Sequence, residues 1–302
     1  MKRLAVLAAL LAIVTVVARA QQPAAGEKPA WSADIAEIRR VATLIPGRKP
    51  LHINVLKFAE SHRTKNFSVK GEPSTPSVQA RTVFQVVYAD GYVMVDAGMD
   101  EPMHRQIGRG AEGEPYFAEQ AQAMNKALRG ARSIVFTHEH GDHVTGVIRT
   151  PYLTELAPRT ILTRTQVNTL ETRPQFPDLK ITEEQAQRYH VIDYDRYMAF
   201  APGWTLIKAA GHTPGSQMMF ITLDSGREYL LIGDAAWHMD GVRKVTGKDA
   251  PWIVEDTTAV NEQLKWLNGL STSERNLIII ASHDDELHKE LEAKKLLGAK
   301  LE

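Results

Sequence analysis

Short apolar runs separated by polar turns recur along most of the chain and predict strands mixed with helices. The first half contributes LHINVLKFA, RTVFQVVYA and GYVMVDAGM, and Asp90-Gly91 between the last two runs is a hairpin signal. RSIVFT follows near the middle, and the second half adds TILTR, HVIDY, WTLIKAAG, QMMFITL, EYLLIGDA and NLIIIAS. This mixture indicates an α/β protein with two sheets and helices outside them.

Apolar residues at helical spacing predict helices between these runs. The first lies in a lead-in segment over residues 31–47, where Ser32 or Asp34 is the cap and Pro46-Gly47 ends the helix. Further helices are predicted at 115–129, near 257–268 and from about Asp284. The chain contains no fixed-period repeat, and we interpret residues 21–302 as a single domain.

The segment 60–79 interrupts the strand pattern. It is polar, rich in Ser, Pro and Gly, and too long for a plain connector. Two interpretations remain open at this point: an active-site loop or a disordered surface loop.

The first 20 residues have the pattern of an export signal. Lys2 and Arg3 precede an apolar run from Leu4 to Ala18, and Ala18-Arg19-Ala20 offers a small-x-small cleavage site. The run is shorter than the roughly 20 residues that span a bilayer, which argues against a retained anchor. We therefore expect a protein that is exported to the periplasm or secreted and that has no stable membrane insertion once residues 1–20 are removed.

Composition narrows the classes of function. The chain has 36 Lys and Arg residues against 36 Asp and Glu residues, so it lacks the basic excess of a nucleic-acid-binding protein. It contains no cysteine, so any metal site must be built from histidines and carboxylates. A small-molecule substrate is the expected partner.

The strongest chemical signal is the stretch FTHEHGDHVTG, which places His138, His140, Asp142 and His143 within six positions. On an extended segment, His138 and His140 share one face, so both imidazoles can reach one ion. Gly141 is expected to permit a tight turn that swings Asp142 and His143 toward a second point. Such a cluster directly after a buried strand predicts a metal site.

Three later positions repeat the arrangement of a buried strand followed by an abrupt polar residue. They are His212 in TLIKAAGHTPGSQ, Asp234 in YLLIGDAAW and His283 in LIIIASHDD. Each of these is a weak signal alone, because polar residues at strand ends are common. Together with the histidine cluster they predict a complete metal centre.

With Asp96 in VDAG, these residues resemble the sequence landmarks of the metallo-β-lactamase-fold hydrolase superfamily, in order, over roughly residues 50 to 285. The resemblance implies an αββα four-layer sandwich with two metal ions at one edge between the sheets. It also implies that Asp96 shapes the loop beneath the site without ligating. The implied ligand sets are His138, His140 and His212 for one ion, Asp142, His143 and His283 for the other, and Asp234 as the bridge.

Ligation by nitrogen and oxygen alone suits Zn²⁺, with Fe or Mn also compatible. A metal pair lowers the pKa of a bridging water and polarises the target oxygen, so we expect hydrolysis by metal-bound hydroxide. Asp142 is the candidate catalytic residue, since it is placed to orient that water or relay its proton. The sequence contains no G-x-S-x-G nucleophile motif.

The motif context of His212 and His283 is most similar to the N-acyl homoserine lactonase group, which indicates an ester-type carbonyl substrate, above all a lactone. That group has a tyrosine three residues past the bridging aspartate, where this chain has Trp237. Trp237 and the nearby His238 are the candidate substrate-binding residues. The alternatives are hydrolysis of a β-lactam, a thioester or a phosphodiester, and a non-enzymatic metal-binding or sensing module.

We predict that the mature chain begins at Gln21. The measurement is N-terminal sequencing and intact mass of the protein recovered from an exporting host. Replacing Ala18 and Ala20 with bulky residues is expected to block cleavage, because the signal pattern requires small side chains there. A recovered chain that retains residues 1–20 would contradict the prediction.

Overall fold

The computed structural model describes residues 31–109 and 113–302, so the predicted export signal lies outside the described residues. Within the described part of the chain, no helix has the length and apolar character needed to cross a membrane. The strands are β1 (His52–Thr64), β2 (Pro76–Tyr88), β3 (Gly91–Val95), β4 (Ser133–Val135), β5 (Thr160–Thr163), β6 (His190–Ile192), β7 (Tyr197–Ala201), β8 (Trp204–Lys208), β9 (Gln217–Thr222), β10 (Glu228–Leu231) and β11 (Leu277–Ile280).

Helices occupy most of the connections between these strands. They are α1 (Ile35–Val41), α2 (Lys65–Ser68), α3 (Glu101–Ile107), α4 (Ala118–Gly130), α5 (Gly141–Ile148), α6 (Leu153–Leu156), α7 (Arg164–Thr172), α8 (Glu183–Ala186), α9 (Met239–Lys244), α10 (Thr257–Ser273) and α11 (Asp285–Ala293). Short 3₁₀ turns occur at Ala157–Arg159, Pro177–Leu179 and Gly233–Ala235.

The strands form two sheets, with the orders β1-β2-β3-β4-β5-β6 and β11-β10-β9-β8-β7. In the second sheet, β9 is antiparallel to both β8 and β10, and β10 is parallel to β11. The strands β8, β10 and β11 therefore run in one direction, and their carboxyl ends meet at one edge of the sheet. The polar residues predicted to be ligands follow these three strands.

Alternation along the strands divides the apolar residues among three separate cores. Tyr229 and Leu231 face the core between the sheets, whereas Leu230 between them faces the outer core with α10. In the first sheet, Val135 faces the inner core and Ile134 faces the outer core with α4 and α5. Three cores between layers require four layers, which confirms the predicted αββα sandwich.

The predicted hairpin is confirmed, because β2 and β3 pair antiparallel across Asp90 with Tyr88 opposite Gly91. The lead-in helix is shorter than its predicted segment. It begins after Asp34, whose side chain accepts hydrogen bonds from the main-chain N–H groups of Ala36 and Glu37. This capping selects Asp34 over Ser32 as the cap.

The segment 60–79 is mostly strand and is neither an irregular nor a disordered loop, but two of its residues line the cavity of the candidate site. Strand β1 continues to Thr64 and β2 starts at Pro76, with Thr64 opposite Pro76 in the ladder and α2 between them. Strand pairing satisfies the backbone whatever the side-chain polarity, so a polar stretch can extend a hairpin beyond its apolar core. The extension brings Arg63 and Gln79 to a cavity described below.

We predict that Gly146→Ala destabilises the fold. Gly146 lies in α5, its N–H donates to the Gly98 carbonyl (3.0 Å), and a Cβ there would fall far inside contact distance of the Ala97 main-chain oxygen. We expect a loss of about 1–3 kcal/mol in the free energy of unfolding, the usual range for overpacking. Urea denaturation measures it.

Gly269→Ala is the matched control. Gly269 is exposed in α10, and no heavy atom of the described residues would meet its added Cβ within 4 Å. Removal of a helical glycine is expected to stabilise by roughly 0.5–1 kcal/mol. Equal stabilities for the two variants would contradict the close approach at Gly146.

Candidate metal centre

The end of β4 delivers the first histidines. After β4 ends at Val135 the chain has no regular secondary structure until His140, which is the N-cap of α5 with φ −77° and ψ 160°. The ring centroids of His138 and His140 lie 4.8 Å apart, and that of His212 lies 5.0 Å from the first and 4.7 Å from the second. The structure therefore brings these three imidazoles around one point.

Asp142 and His143 lie on the first turn of α5, and His283 follows β11. The Asp142 Oδ2 atom is 3.5 Å from the His143 Nε2 atom and 3.4 Å from the His283 Nε2 atom. The expected glycine turn at Gly141 was wrong, because the chain direction changes by starting a helix there. A Cβ at Gly141 would lie 3.0 Å from the Met103 Sδ atom, so close packing favours glycine at this position.

Asp234 lies between the two groups. Its Oδ2 atom is 3.5 Å from the His212 Nε2 atom and 3.8 Å from the His138 Nε2 atom. Its Oδ1 atom is 3.2 Å from the His283 Nε2 atom and 3.7 Å from the His143 Nε2 atom. The His283 Nε2 atom is also 3.2 Å from Oδ2. The Asp234 carboxylate as a whole therefore lies between the two groups of imidazoles, which is the position of a bridging ligand.

Several inward-facing atoms of this cluster fit a bound cation. The His138 Nε2, His143 Nε2 and Asp234 Oδ1 atoms are buried and have no hydrogen-bond partner among the described residues. An unsatisfied buried polar atom costs about 1–3 kcal/mol, so such atoms are rare without a compensating ligand. The candidate ligand atoms form three overlapping groups in which all lie within 4.8 Å of one another. Imidazole and carboxylate donors at this spacing fit two zinc-like ions.

Asp96 orients His143 from outside this cluster. Its carboxylate accepts hydrogen bonds from the Thr137 main-chain N–H (2.7 Å) and from the His143 Nδ1–H (2.8 Å). Occupation of Nδ1 leaves the His143 Nε2 atom to face the centre. The backbone of Asp96 is left-handed, with φ 63°. Among the described residues, Asp96 belongs to none of the three groups of candidate metal ligands.

Glu255 orients His212 in the same way, and no motif in the sequence marks this residue. The Glu255 Oε2 atom is 3.0 Å from the His212 Nδ1 atom and 3.0 Å from the Lys248 Nζ atom. Lys248 also donates to the Asp234 carbonyl (2.6 Å), and its side chain is fully buried. Lys248 therefore links Asp234, which is in the bridging position, to Glu255, which orients His212.

Glu139, between two predicted ligands, points away from the centre. Its carboxylate accepts hydrogen bonds from the Thr213 hydroxyl (2.8 Å) and from the Gly215 N–H (3.1 Å). The loop that carries His212 is thereby clamped to the loop that carries His138.

The protonation states of the metal-free chain suit most of the ligands. Burial lowers the pKa of His138, and it lowers that of His140 to about 3, so both rings are neutral. Burial alone would raise the pKa of Asp142, but the charges of His143 and Arg81 outweigh it and hold that pKa well below its ordinary value.

His143 differs from the other rings. Burial alone would lower its pKa, but Asp142 and Asp96 raise it well above the ordinary value. A cation that binds His143 must therefore displace a proton, so metal affinity is expected to fall as the pH is lowered.

A cavity of about 330 Å³ opens in front of the cluster, and Trp237 forms part of its wall. The Trp237 Nε1–H donates to the Asp234 Oδ2 atom at 2.7 Å. Asp234, a predicted metal ligand, therefore accepts the only hydrogen bond that the indole can donate. Trp237 offers a substrate only apolar surface.

His238, predicted to bind substrate, is held by contacts outside the cavity. Its Nδ1 atom accepts a hydrogen bond from the Asp240 N–H (3.0 Å) as the N-cap of α9, and its Nε2 atom is 3.3 Å from the Lys65 Nζ atom. His238 is not among the residues that line the cavity. Capping a helix points the ring away from the centre.

We predict that the purified mature chain binds two zinc ions. His212→Ala should empty the first site preferentially and His283→Ala the second, because each removes a ligand from one group only. Elemental analysis after dialysis against zinc measures the stoichiometry. His52→Ala is the control, since His52 is largely exposed and faces Glu302. A stoichiometry near one for the wild-type protein would contradict the binuclear arrangement.

Comparisons with known proteins give structural matches only. No protein-family model matches the chain. A search of curated proteins also returned no match.

Solved structures with the same architecture are numerous. A quorum-quenching N-acyl homoserine lactone lactonase superposes with a TM-score of 0.64 at 17% identity, over 81% of this chain and 97% of that chain. AidC, a dizinc quorum-quenching lactonase, gives 0.54 at 15% identity, over 79% and 91%. The hydrolase AbOPH in the beta-lactamase superfamily gives 0.53 at 17% identity, also over 79% and 91%. At these identities the likeness shows the fold alone, and this chain has the metallo-β-lactamase fold.

Proposed function

We propose that this protein is a binuclear metal-dependent hydrolase of ester-type carbonyl compounds, with lactones as the preferred substrates. The observation that carries the proposal is Asp234, whose carboxylate lies between two groups of imidazoles beside an open cavity. A complete ligand set next to open space is typical of a catalytic site, because the substrate needs access to the metal.

Two metal ions bound there would supply Lewis acidity and an activated water. The residues of the chain supply the rest. Trp237 holds the Asp234 carboxylate in position, and Asp142 stands at the edge of the cavity, where its carboxylate can accept a hydrogen bond from a nucleophilic water. Trp252 and Ile253 add apolar wall that excludes bulk water from the reacting carbonyl.

The names of the similar structures support the choice of carbonyl substrate. Two of the three proteins compared above are lactonases. The equal totals of basic and acidic residues count against a phosphodiester of nucleic acid, which requires a basic surface.

The second part of the proposal is that the protein is exported. The pattern of residues 1–20 supports action outside the cytoplasm, where the substrate would be an extracellular or periplasmic small molecule. N-terminal sequencing of the mature chain, as above, tests this part separately from the chemistry.

We predict that a lactone will give the highest kcat/KM in a panel of lactone, thioester, β-lactam and phosphodiester substrates. The measurement uses purified zinc-loaded protein. A phosphodiester with the highest value would overturn the assignment, and a β-lactam with the highest value would replace it with β-lactam hydrolysis.

Asp142→Asn is the matched variant for this panel. Asparagine keeps an oxygen that can ligate but loses the charge and the capacity to carry a proton. We expect kcat to fall by about 10² to 10⁴, the range for removal of a general base, while most of the metal remains bound. Near-normal activity with two metal ions bound would show that Asp142 is only a ligand and that the proton leaves by another route.

A further inference from the structure

The cavity in front of the metal centre has a cationic wall. Apart from the predicted ligands Asp142 and Asp234, the charged residues among its described lining are Arg63 and Arg81. Neither arginine is accounted for by metal binding, since a guanidinium has no lone pair to donate. Each arginine contacts one carboxylate, Glu114 for Arg63 and Asp142 for Arg81, and the role of that carboxylate decides whether the guanidinium is available to a ligand.

Arg81 is the better placed of the two arginines. Its side chain is 8% exposed, and its Nε and Nη2 atoms donate to the Ser61 hydroxyl at 3.2 and 3.0 Å. Its Nη1 atom donates to the Asp142 Oδ2 atom. These bonds use three of the five N–H groups of a guanidinium. One N–H on each terminal nitrogen has no partner in the part of the chain that the structure describes.

The position of Arg81 is fixed by the hairpin. Residue 81 pairs with Ala59 across β1 and β2, and Ser61 on the same strand as Ala59 holds the guanidinium. A side chain held in this way loses little freedom when it binds a ligand, which favours recognition of a specific group.

Arg63 provides the comparison, because its charge already has a dedicated partner. Its Nη1 atom donates to the His62 carbonyl (2.8 Å) and to the Glu114 carboxylate, which lies outside the predicted ligands. The partner of Arg81 is instead Asp142. When cations bind there, the negative charge of Asp142 is shared with them, and the charge of Arg81 is left without its own counterion.

We propose that Arg81 binds a carboxylate on the substrate. The substrates are then esters or lactones that carry a carboxylate a short spacer away from the scissile carbonyl. The apolar wall formed by Trp237, Trp252 and Ile253 accommodates the hydrocarbon of that spacer. Arginine suits the role because its planar fork matches carboxylate geometry. The substrate class rests on the proposed hydrolase function.

The first experiment compares two chromogenic esters of equal chain length, neutral p-nitrophenyl valerate and anionic mono-p-nitrophenyl glutarate. The zinc-loaded wild-type protein should prefer the anionic ester in kcat/KM by about 10- to 100-fold, the range expected of a hydrogen bond to a charged group. Arg81→Gln should abolish this preference. Arg63→Gln, the matched control on the same wall, should keep it.

The ratio of two esters on one protein is the decisive quantity. Any effect of the substitution on Asp142 or on metal loading acts on both esters and cancels. If Arg81→Gln does not fold, Arg81→Lys carries the test, since it keeps the charge but loses the fork and should give an intermediate ratio. A wild-type ratio near one, or an unchanged ratio in the Arg81 variant, would overturn the proposal.

The second experiment is independent of turnover. Isothermal titration of the zinc-loaded protein compares glutarate, which has a second carboxylate, with valerate, which lacks it. Wild-type protein should bind glutarate more tightly, and Arg81→Gln should bind both alike. Selective glutarate binding without hydrolysis of either ester would retain the Arg81 site and refute the hydrolase function. Equal hydrolysis of both esters would support the hydrolase function and refute the Arg81 site.

Discussion

The fold depends on a set of polar groups that is buried at one edge between two sheets. Five imidazoles and two carboxylates converge around Asp234, all of them largely shielded from water. Groups of this kind are costly to bury unless each finds a partner. The carboxyl ends of β8, β10 and β11 deliver three of them to this edge, and β4 leads to the others across the interface between the sheets. The architecture is therefore the means by which ligands from distant parts of the chain reach one point.

Residues outside the ligand set hold those ligands in one orientation. Asp96 and Glu255 each accept a hydrogen bond from the Nδ1 atom of a histidine, so the Nε2 atoms face inward. Lys248 joins Glu255 to the Asp234 main chain, and Trp237 fixes the Asp234 carboxylate. Asp96, Glu255 and Lys248 are buried and charged, so their positions and those of the metal ligands depend on each other. A change at Lys248 would act on both groups of ligands.

The same arrangement gives the cavity its chemistry. Trp237 uses its only donor on Asp234 and so presents an apolar face to the substrate. Hydrogen-bond donors to a substrate must therefore come from other residues. The hairpin of β1 and β2 brings Arg81 into contact with Asp142 at the cavity. The polar outer part of this hairpin also contributes, because Ser61 holds Arg81, and Arg63 and Gln79 line the cavity, although its sequence has no motif. The proposals of a carbonyl substrate and of a bound carboxylate rest on this combination of apolar wall, guanidinium and metal ligands.

The sequence by itself predicted ten of the eleven described strands, all except β7, together with the β2–β3 hairpin and the four places where a buried strand ends in metal-ligating side chains. These features are local, because side-chain alternation and turn chemistry act over a few residues. Only the tertiary structure decided which residues support the site. Arg81 lies 61 positions from Asp142 and Glu255 lies 43 positions from His212, and a lone charged residue in a chain carries no sign of the partner it will meet. His238 is a further case, since only the start of α9 decides where its ring points.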